Sequence, residues 1–509
     1  MQKIFNITGN SIYAEKLYKF IIDYKNIILI SFFVGVFVNA IDIFTIKYGI
    51  DSEAYAHREY REYIMIQRYG SYILYFLIPF ARYHIISQLT GIMSLVMAAL
   101  LTVSKHNIPK EAKLLFVLLF VTYPNFTFLQ YFYFQSAYNL IGLLFVVIAY
   151  RLIECNRNIF IYILAVIFLY IGVSSYQPNF AVFLTVMMIN VILDFIYKKD
   201  YKSSIKQILK GTFFLILATS LYYLSIKLIA GNLNSYHTGY IRSYNNIMNE
   251  LSDIITYCYR ILVSYGFNGE HTANLLVTIL LILLIIQMIF IQKNLKVTIF
   301  VICLILLFLL AIFSLNTMLA WLLIRTMLAV AFYPAFIILL VYCFNSNNKL
   351  KYLTVILTIL IIGYHTTYIV KYQFTYYMSY KQDEFLARDM MSRLYIKYPE
   401  IYNGKYKLAF AGELNRSADH PLTPYIKDNG TYHPLMTKKD FFGYSFFSGG
   451  YTERILAFMQ LQGFPMSVQP VLNIGQDKNI KPKLDVLPAY PDNNCMILLN
   501  DTVIVKLSN

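Results

Sequence analysis

The sequence predicts a polytopic α-helical membrane protein with about eleven transmembrane helices and a small C-terminal extracytoplasmic domain of α/β or α+β class. Of its 509 residues, 58% are hydrophobic and only 14% are charged, whereas about a quarter are charged in soluble proteins. Apolar runs of roughly 18–25 residues recur as far as position 370, and this length crosses a hydrocarbon core of about 30 Å. Beyond that position the runs shorten and Pro and Gly appear, which indicates a separate domain.

The candidate spans follow one another in chain order. The first comes after a polar stretch that carries Lys16, Lys19 and Lys25, and no small-residue cleavage site closes it, so it is predicted to stay as an anchor. Leu114–Tyr123 is the shortest candidate and ends at Pro124; as a re-entrant segment it would invert the C-terminal side. The predicted spans are Asn26–Ile46, His84–Ser104, Leu114–Tyr123, Phe132–Tyr150, Ile159–Ser175, Asn179–Tyr197, Gly211–Ala230, Thr272–Gln292, Val297–Ser314, Met327–Phe344 and Tyr352–Val370.

The distribution of basic residues predicts the topology. With a cytoplasmic N-terminus, the loops on that side satisfy the positive-inside rule, through Lys105, Lys110, Lys113, Arg151, Arg157, Lys198, Lys199, Lys202, Lys206, Lys210, Lys293, Lys296, Lys349 and Lys351. The opposite loops are short and uncharged or, at 47–83 and 231–271, long and mixed in sign. We therefore expect a transmembrane domain over residues 1–370 with these two outward loops. Because the number of spans is odd, residues 371–509 are predicted to form an extracytoplasmic domain.

The C-terminal segment carries its own secondary-structure signals. Asp383–Tyr398 has the pattern of an amphipathic helix, and Lys407–Ala411 that of a strand. Met496–Leu499 and Thr502–Leu507 alternate around Asn500-Asp501, which predicts a β-hairpin.

Composition and motifs exclude several classes of function. The formal net charge is +16, but the basic residues are spread along short loops without interleaved aromatic residues, so a nucleic-acid partner is excluded. The cysteines have no paired spacing, and we predict neither a disulfide framework nor a metal site. Glycine-rich phosphate loops, zincin motifs and nucleophile elbows are absent from the sequence.

Two carboxylates, Asp51 and Glu53, follow the first membrane helix directly. At the water–lipid boundary such a carboxylate can deprotonate an acceptor hydroxyl, and we prefer Asp51 as this general base, with Glu53 as its partner or alternative. The alternative interpretation is helix capping, since both residue types suit the positive end of a helix. The same pair could hold a divalent cation through oxygen ligands. Asp42 lies inside the apolar run, where ionisable groups are costly and tend to be functional, or it reaches interfacial water.

Arginines on the predicted outward side are candidates for phosphate binding, because a guanidinium makes bidentate contacts to phosphate oxygens. Arg325 stands in an otherwise apolar stretch at the outer mouth of a span, where the alternative is an ion pair with Asp42 or Glu53. Arg68 occurs in Gln67-Arg-Tyr-Gly70. Arg58 is a third candidate, or part of a solvated helix face with opposite charges three or four residues apart.

Polar side chains at two outward positions are candidates for a substrate pocket. Tyr176 and Gln177 interrupt two apolar runs; the alternative is a tight turn before Pro178. His237 lies in the second long loop, and the alternative there is a solvated loop residue. Asp42 completes the set of predicted pocket residues.

Several stretches together resemble the bacteriophage-type serotype-converting O-antigen glucosyltransferases, polytopic enzymes with the membrane glycosyltransferase architecture called GT-C. The similarity extends over most of the chain, and its order and spacing are more specific than any one stretch. Two features depart from the family pattern, because Ser52 splits the usual acidic doublet and the Gly-Arg order is not kept. The stretches are Asp51-Ser-Glu53, Gln67-Arg68-Tyr69-Gly70-Ser71, Tyr123-Pro124 to Gln135, Tyr176-Gln177-Pro178 and Tyr490-Pro491 to Lys506-Leu507.

The resemblance implies transfer of glucose from undecaprenyl phosphate glucose to a lipid-linked O-antigen unit on the periplasmic face of a bacterial inner membrane, without a nucleotide-sugar donor. Its implied partners are these two lipid-linked substrates and the bilayer. An O-antigen polymerase is an alternative, although the C-terminal domain argues against it. A flippase or transporter is another, for which inverted repeats and broken helices would be expected. A structural membrane scaffold would tolerate alanine at the acidic loop and at Arg325.

Overall fold

The computed structural model describes residues 11–45, 61–130, 133–155, 158–231, 247–259, 261–262, 271–291, 295–318, 326–344, 347–414, 446–447, 451–472, 474 and 480–508. Within these ranges the chain is mainly α-helical and contains one β-sheet. The first helices are α1 (Ser11–Val38), α2 (Ala40–Phe44), α3 (Arg61–Met65), α4 (Tyr69–Leu77), α5 (His84–Ser104), α6 (Lys110–Val121), α7 (Asn125–Gln130), α8 (Tyr133–Cys155), α9 (Ile159–Ser175), α10 (Asn179–Lys198) and α11 (Tyr201–Ile229).

The remaining elements complete the helical part and form the sheet. The helices are α12 (Ile247–Tyr259), α13 (His271–Ile291), α14 (Leu295–Ile312), α15 (Ser314–Met318), α16 (Phe332–Phe344), α17 (Asn348–Lys397), α18 (Thr452–Leu461) and α19 (Lys481–Val486). The strands are β1 (Lys407–Ala411), β2 (Met496–Leu499) and β3 (Thr502–Lys506). Short 3₁₀ helices cover Pro79–Arg82, Leu328–Ala331 and Pro399–Asn403.

Among the described residues, seven helices are long and apolar enough to cross a membrane. They contain the segments Tyr18–Val38, His84–Ser104, Gln135–Glu154, Asn179–Lys198, Tyr201–Ile229, Leu295–Ile312 and Asn348–Lys397. Shorter apolar helices cover Ile159–Ser175, Asn274–Gln287 and Leu328–Phe344. These helices confirm a helical protein of the membrane type, while the total of eleven spans stays a prediction.

The predicted span Leu114–Tyr123 falls in α6, which has 12 residues. At a rise of about 1.5 Å per residue such a helix is only about 18 Å long, too short for a hydrocarbon core of about 30 Å. α6 packs against α1, α5 and α16, and most of its side chains are buried. Irregular backbone next to such a short helix is tolerated at membrane depth only where protein surrounds it.

The first predicted span, Asn26–Ile46, is interrupted near its end. Helix α1 stops at Val38, and the backbone N–H and the side-chain Nδ2 of Asn39 both donate to the carbonyl oxygen of Gly35, at 3.1 and 2.9 Å. A side chain that competes for a helical carbonyl weakens the helix at that point. The chain resumes as the short helix α2, which contains Asp42.

Contacts divide the chain into two compact units. The first comprises 1–43, 63–130 and 135–369, and the second comprises 44–62, 131–134 and 370–509. In the first unit, α10 packs against α11 and α14, α9 packs against α11 and α4, and α5 packs against α1 and α6. α8 and α10 are the most buried of the long apolar helices, whereas α1 and α11 expose most of their apolar windows, as expected of helices that face lipid.

The second unit contains a three-stranded sheet in the order β1-β3-β2. β1 pairs with β3 in parallel, and β2 pairs with β3 in antiparallel orientation. Leu408 and Phe410 pack into one apolar cluster and Ala409 and Ala411 into another, because successive side chains of a strand point to opposite faces. The predicted hairpin is confirmed, and Asn500 in its turn has a φ of +54°, the left-handed conformation that tight hairpins require.

A network of charged side chains lies at loops that are predicted to be cytoplasmic. The Lys105 ammonium contacts the carboxylates of Glu154 and Asp194, the latter at 2.7 Å. Arg151 pairs with Glu154 at 2.6 Å, and Lys198 pairs with Asp194 at 3.1 Å. The two carboxylates are largely buried, so each needs these cations to offset the loss of hydration. The network thereby joins α8 and α10 to the loop that follows α5.

His106 is buried beside this network. Its Nε2 lies 3.0 Å from Oδ1 of Asn190, and its Nδ1 lies 4.0 Å from the Asp194 carboxylate. Burial lowers the pKa of His106 from 6.5 to about 4, and this effect outweighs the hydrogen bond with Asn190 and the Asp194 charge, which act in the opposite direction. Between about pH 6.5 and pH 4, this ring is therefore neutral in the folded protein but protonated in the unfolded chain.

We expect His106 to make stability depend on pH. Since the pKa of His106 is lower in the folded protein, the residue has no effect on stability above about pH 6.5. As the pH decreases from about 6.5 to about 4, the free energy of unfolding falls by up to about 1.4 kcal/mol per pH unit. His106→Gln keeps a donor for Asn190 but cannot be protonated, so its thermal unfolding midpoint in detergent should fall less between pH 7 and pH 5 than that of the wild type. Equal pH dependence of the two proteins would contradict this assignment.

Candidate active site

The predicted site residues divide into two groups. Asp51, Glu53, Arg58, His237 and Arg325 lie outside the described residues, and the roles assigned to them from the sequence stay predictions. The described members of the predicted site are Arg68, Tyr176, Gln177 and Asp42.

Arg68 follows a tight turn between α3 and α4. The N–H of Gln67 donates to the carbonyl oxygen of Ile64 at 3.0 Å, and the N–H of Arg68 donates to that of Tyr63 at 2.7 Å. Gln67 has a φ of +58°, a left-handed conformation that costs a residue other than Gly about 1–2 kcal/mol. Such strain persists only where surrounding contacts hold it, and it is concentrated at functional sites.

The guanidinium of Arg68 is held by neutral groups. Its Nη1 donates to Oε1 of Gln135 at the start of α8, and its Cζ lies 5.0 Å from the centroid of the Tyr176 ring, a cation–π contact. Its Nε is buried and has no hydrogen-bond partner among the described residues. The structure therefore brings Arg68 and Tyr176, two residues predicted separately from the sequence, into contact.

Gln177 is engaged with a residue that the sequence did not single out. Its Nε2 donates to the Tyr222 hydroxyl at 2.7 Å, and this hydroxyl donates to the carbonyl oxygen of Gln67 at 2.9 Å. The Tyr222 ring also meets that of Tyr69 edge-on, with centroids 6.3 Å apart. Tyr222 lies in the apolar run of α11, and its position within that run carries no signal that would distinguish it from a packing residue.

Small residues allow α4, α8 and α9 to approach one another closely. A Cβ atom added to Gly70 would overlap the carbonyl oxygen of Ile171 and the amide nitrogen of Ser175, and one added to Gly142 would overlap the Ser175 hydroxyl. The Ser71 hydroxyl donates to the carbonyl oxygen of Ser175 at 3.0 Å. Small residues and interhelical hydrogen bonds are the usual means of packing helices in membranes, and here they fix α4, and with it Arg68, against the end of α9.

Unsatisfied amides lie beside this site. Asn139, one helical turn after Gln135, is 1% exposed, and neither polar atom of its side chain has a hydrogen-bond partner among the described residues. Asn179 donates to the carbonyl oxygen of Gly172 at 2.9 Å, while its own Oδ1 is also unpartnered within the described part of the chain. Buried amides of this kind require a partner such as water or a ligand hydroxyl. Neither amide was identified from the sequence, because Asn139 stands within an apolar helical run and Asn179 is the first residue of another.

Asp42 is hydrogen-bonded through its backbone to His84. Its side chain is 1% exposed, and its backbone carbonyl oxygen accepts a hydrogen bond from Nε2 of His84 at 2.7 Å. His84 begins α5, so this bond ties the end of the first membrane helix to the start of the next. In the described ranges, no group of three or more His, Cys, Asp or Glu side chains could hold a metal ion.

Comparison with known proteins identifies one family. A family model described as glucosyl transferase GtrII matches residues 41–344, more than half of the chain. No curated protein and no solved structure matches the chain. The matched range includes Arg68, Gln135, Tyr176, Gln177 and Tyr222.

The close approach at Gly70 gives a prediction for stability. We expect Gly70→Ala to lower the thermal unfolding midpoint, because the added methyl group meets backbone atoms that cannot rotate away; overpacking of this kind costs about 1–3 kcal/mol. Gly363→Ala is the matched control, since a Cβ there meets nothing within 4 Å. Equal midpoints for the two variants would show that α4 does not pack on α9 in this way.

Proposed function

Because the chain belongs to the glucosyl transferase GtrII family and is therefore a glycosyltransferase, we propose that it takes glucose from undecaprenyl phosphate glucose. The proposed acceptor is a lipid-linked O-antigen unit, and the reaction modifies the O-antigen in the manner of serotype conversion. We place the transfer at the periplasmic face of a bacterial inner membrane, with the N-terminus in the cytoplasm and the C-terminal domain in the periplasm.

One observation carries the choice of donor. Arg68 is a cation with a buried Nε, and the groups that hold it among the described residues, Gln135 and Tyr176, are neutral. A cation without a carboxylate partner retains its full attraction for an anion, and a guanidinium matches the geometry of phosphate oxygens. A sugar linked to a lipid through a single phosphate presents such an anion at the membrane surface. We therefore assign the donor phosphate to Arg68.

The position of Arg68 along the helices supports the proposed side of the membrane. Gln135 lies at the start of α8, whereas Arg151 and Glu154 of the ion-pair network lie near its end. Sixteen residues of helix separate Gln135 from Arg151, which is about 24 Å at 1.5 Å per residue. Since the network belongs to loops whose positive charge predicts a cytoplasmic location, we infer that Arg68 lies nearer the opposite surface.

The proposed reaction is a single displacement at the anomeric carbon. An acceptor hydroxyl oxygen bonds to C1 of glucose, the bond between C1 and the phosphate oxygen breaks, and undecaprenyl phosphate leaves with the electron pair of that bond. Asp51, with Glu53 as partner or alternative, takes the hydroxyl proton. Phosphate leaves as a stabilised anion without a strong general acid, and Arg68, with Arg325 and Arg58, offsets its developing charge.

The remaining candidates are assigned to the sugars. We propose that Tyr176, Gln177, His237 and Asp42 line the substrate pocket. The amide of Asn139, which has no hydrogen-bond partner among the described residues, would donate hydrogen bonds to sugar hydroxyls and accept hydrogen bonds from them. A buried amide strongly favours a ligand that makes these bonds over one that does not.

Transfer of radiolabelled glucose by the purified protein in detergent tests this function. We expect transfer from undecaprenyl phosphate glucose to lipid-linked O-antigen and none from uridine diphosphate glucose. Arg68→Ala should lower kcat/KM for the lipid donor about 10- to 100-fold, the loss expected for hydrogen bonds to a charged group. Arg388→Ala is the control, because its guanidinium is exposed and pairs with Glu384 on the surface of the second unit; it should retain wild-type transfer.

The same assay tests the carboxylates. The double variant Asp51→Asn, Glu53→Gln should insert normally into the membrane and transfer no glucose. Full activity of this variant would remove both carboxylates from the mechanism. Efficient transfer from the nucleotide sugar, or wild-type kinetics in Arg68→Ala, would contradict the proposed donor.

A further inference from the structure

We propose that Tyr222 is a positioning residue for Arg68, acting through a chain of hydrogen bonds from Gln177 to the backbone of Gln67. The inference rests on the proposed function in one respect, namely that Arg68 binds the donor phosphate. Tyr222 itself is not expected to touch the substrate.

The backbone of Gln67 is strained. Its left-handed backbone, with a φ of +58°, is unfavourable for a residue with a side chain and needs support from outside the turn. The Tyr222 hydroxyl supplies that support, because it donates to the Gln67 carbonyl oxygen at 2.9 Å from a position 155 residues further along the chain. This carbonyl belongs to the peptide unit that leads directly into Arg68, so the bond restrains the orientation of the Arg68 backbone.

The hydrogen-bond chain begins at a residue whose neighbour contacts Arg68. Gln177 donates to the Tyr222 hydroxyl at 2.7 Å, and the preceding residue, Tyr176, places its ring 5.0 Å from Cζ of Arg68. One turn therefore contacts both the guanidinium of Arg68 and, through Tyr222, the backbone before it. Because both contacts come from adjacent residues, a shift of the turn at 176–177 would move the support and the cation together.

The hydroxyl of Tyr222 has a role that is distinct from the packing of its ring. Tyr222 is 9% exposed, while its neighbour Tyr223 is 57% exposed. Phenylalanine would fill the same space in an apolar helix. Burying a hydroxyl costs free energy unless the hydroxyl is hydrogen-bonded. The Tyr222 hydroxyl both accepts and donates a hydrogen bond, and both of these partners belong to the segments that contact or precede Arg68. Its role is therefore placement of that segment rather than packing.

Removal of the hydroxyl should release the guanidinium. In Tyr222→Phe the Gln67 carbonyl oxygen loses the hydrogen bond from this hydroxyl. The turn is then less restrained, and the Arg68 side chain shifts relative to Tyr176. We expect the KM for the lipid donor to rise about 3- to 10-fold, the loss typical of one or two neutral hydrogen bonds, with the KM for the acceptor unchanged. In an Arg68→Ala background, Tyr222→Phe should have no further effect on the donor KM.

The deciding experiment measures Arg68 directly. Full-length protein in detergent is treated with phenylglyoxal, which modifies arginine side chains, and the rate of labelling at Arg68 is measured by mass spectrometry of its peptide. We expect labelling several times faster in Tyr222→Phe than in wild type, with Tyr223→Phe matching wild type. Gln177→Met breaks the same chain from its other end and should also speed labelling, which keeps the test valid if one variant folds poorly.

The outcomes distinguish this inference from the proposed function. Faster labelling with a raised donor KM supports both. Faster labelling with an unchanged donor KM keeps Tyr222 as a positioning residue and contradicts phosphate binding by Arg68. Wild-type labelling rates in well-folded Tyr222→Phe and Gln177→Met overturn the inference, as does an equal rise of donor KM in the presence and absence of Arg68.

Discussion

Polypeptide in a lipid bilayer has to satisfy its own backbone hydrogen bonds, and this constraint decides where the chain can leave helical geometry. Where helices break in the first unit, side chains complete the bonding. Tyr222 donates to the carbonyl oxygen of Gln67, Ser71 to that of Ser175, and Asn125 to that of Met327 at 3.0 Å. Each of these bonds crosses from one helix to a break in another. The candidate site is built on two of these breaks, at Gln67 and at Ser175.

Cations are held in two different ways in the first unit, and the two ways leave different amounts of charge for a ligand. Lys105 is neutralised by Glu154 and Asp194, so the network stabilises the arrangement of helices and has little charge left for a ligand. Arg68 is held by an amide and an aromatic ring, and in the described part of the chain no carboxylate cancels its charge. Holding a cation in place with neutral groups preserves its attraction for an anion. Because many basic residues can be neutralised by carboxylates in this way, the formal net charge of +16 does not by itself locate the site.

Local patterns in the sequence predict the local secondary structure. Apolar runs predict the long helices, and alternation around Asn500-Asp501 predicts the hairpin of β2 and β3. The stretches at Gln67–Ser71 and Tyr176–Pro178 are recognisable one by one, but their contact depends on the glycine-permitted approach of α4 to α9, which no local pattern encodes. Tyr222 and Asn139 stand in apolar runs. Only the tertiary structure shows that the Tyr222 hydroxyl faces a break between helices, and that the Asn139 amide has no hydrogen-bond partner among the described residues. Helix α4, within the predicted loop 47–83, has only nine residues, and its packing against α9 is not visible in the sequence.

In the proposed mechanism, Arg68 binds the phosphate of the lipid-linked donor whether or not a sugar is attached to it. Equilibrium binding of undecaprenyl phosphate, which lacks glucose, tests this directly when wild type, Arg68→Lys and Arg68→Ala are compared by native mass spectrometry in the same detergent. The account predicts binding by the wild type, weaker binding by Arg68→Lys because the planar fork is lost, and binding weakened at least about tenfold in Arg68→Ala. Equal affinity of all three proteins for undecaprenyl phosphate would contradict it.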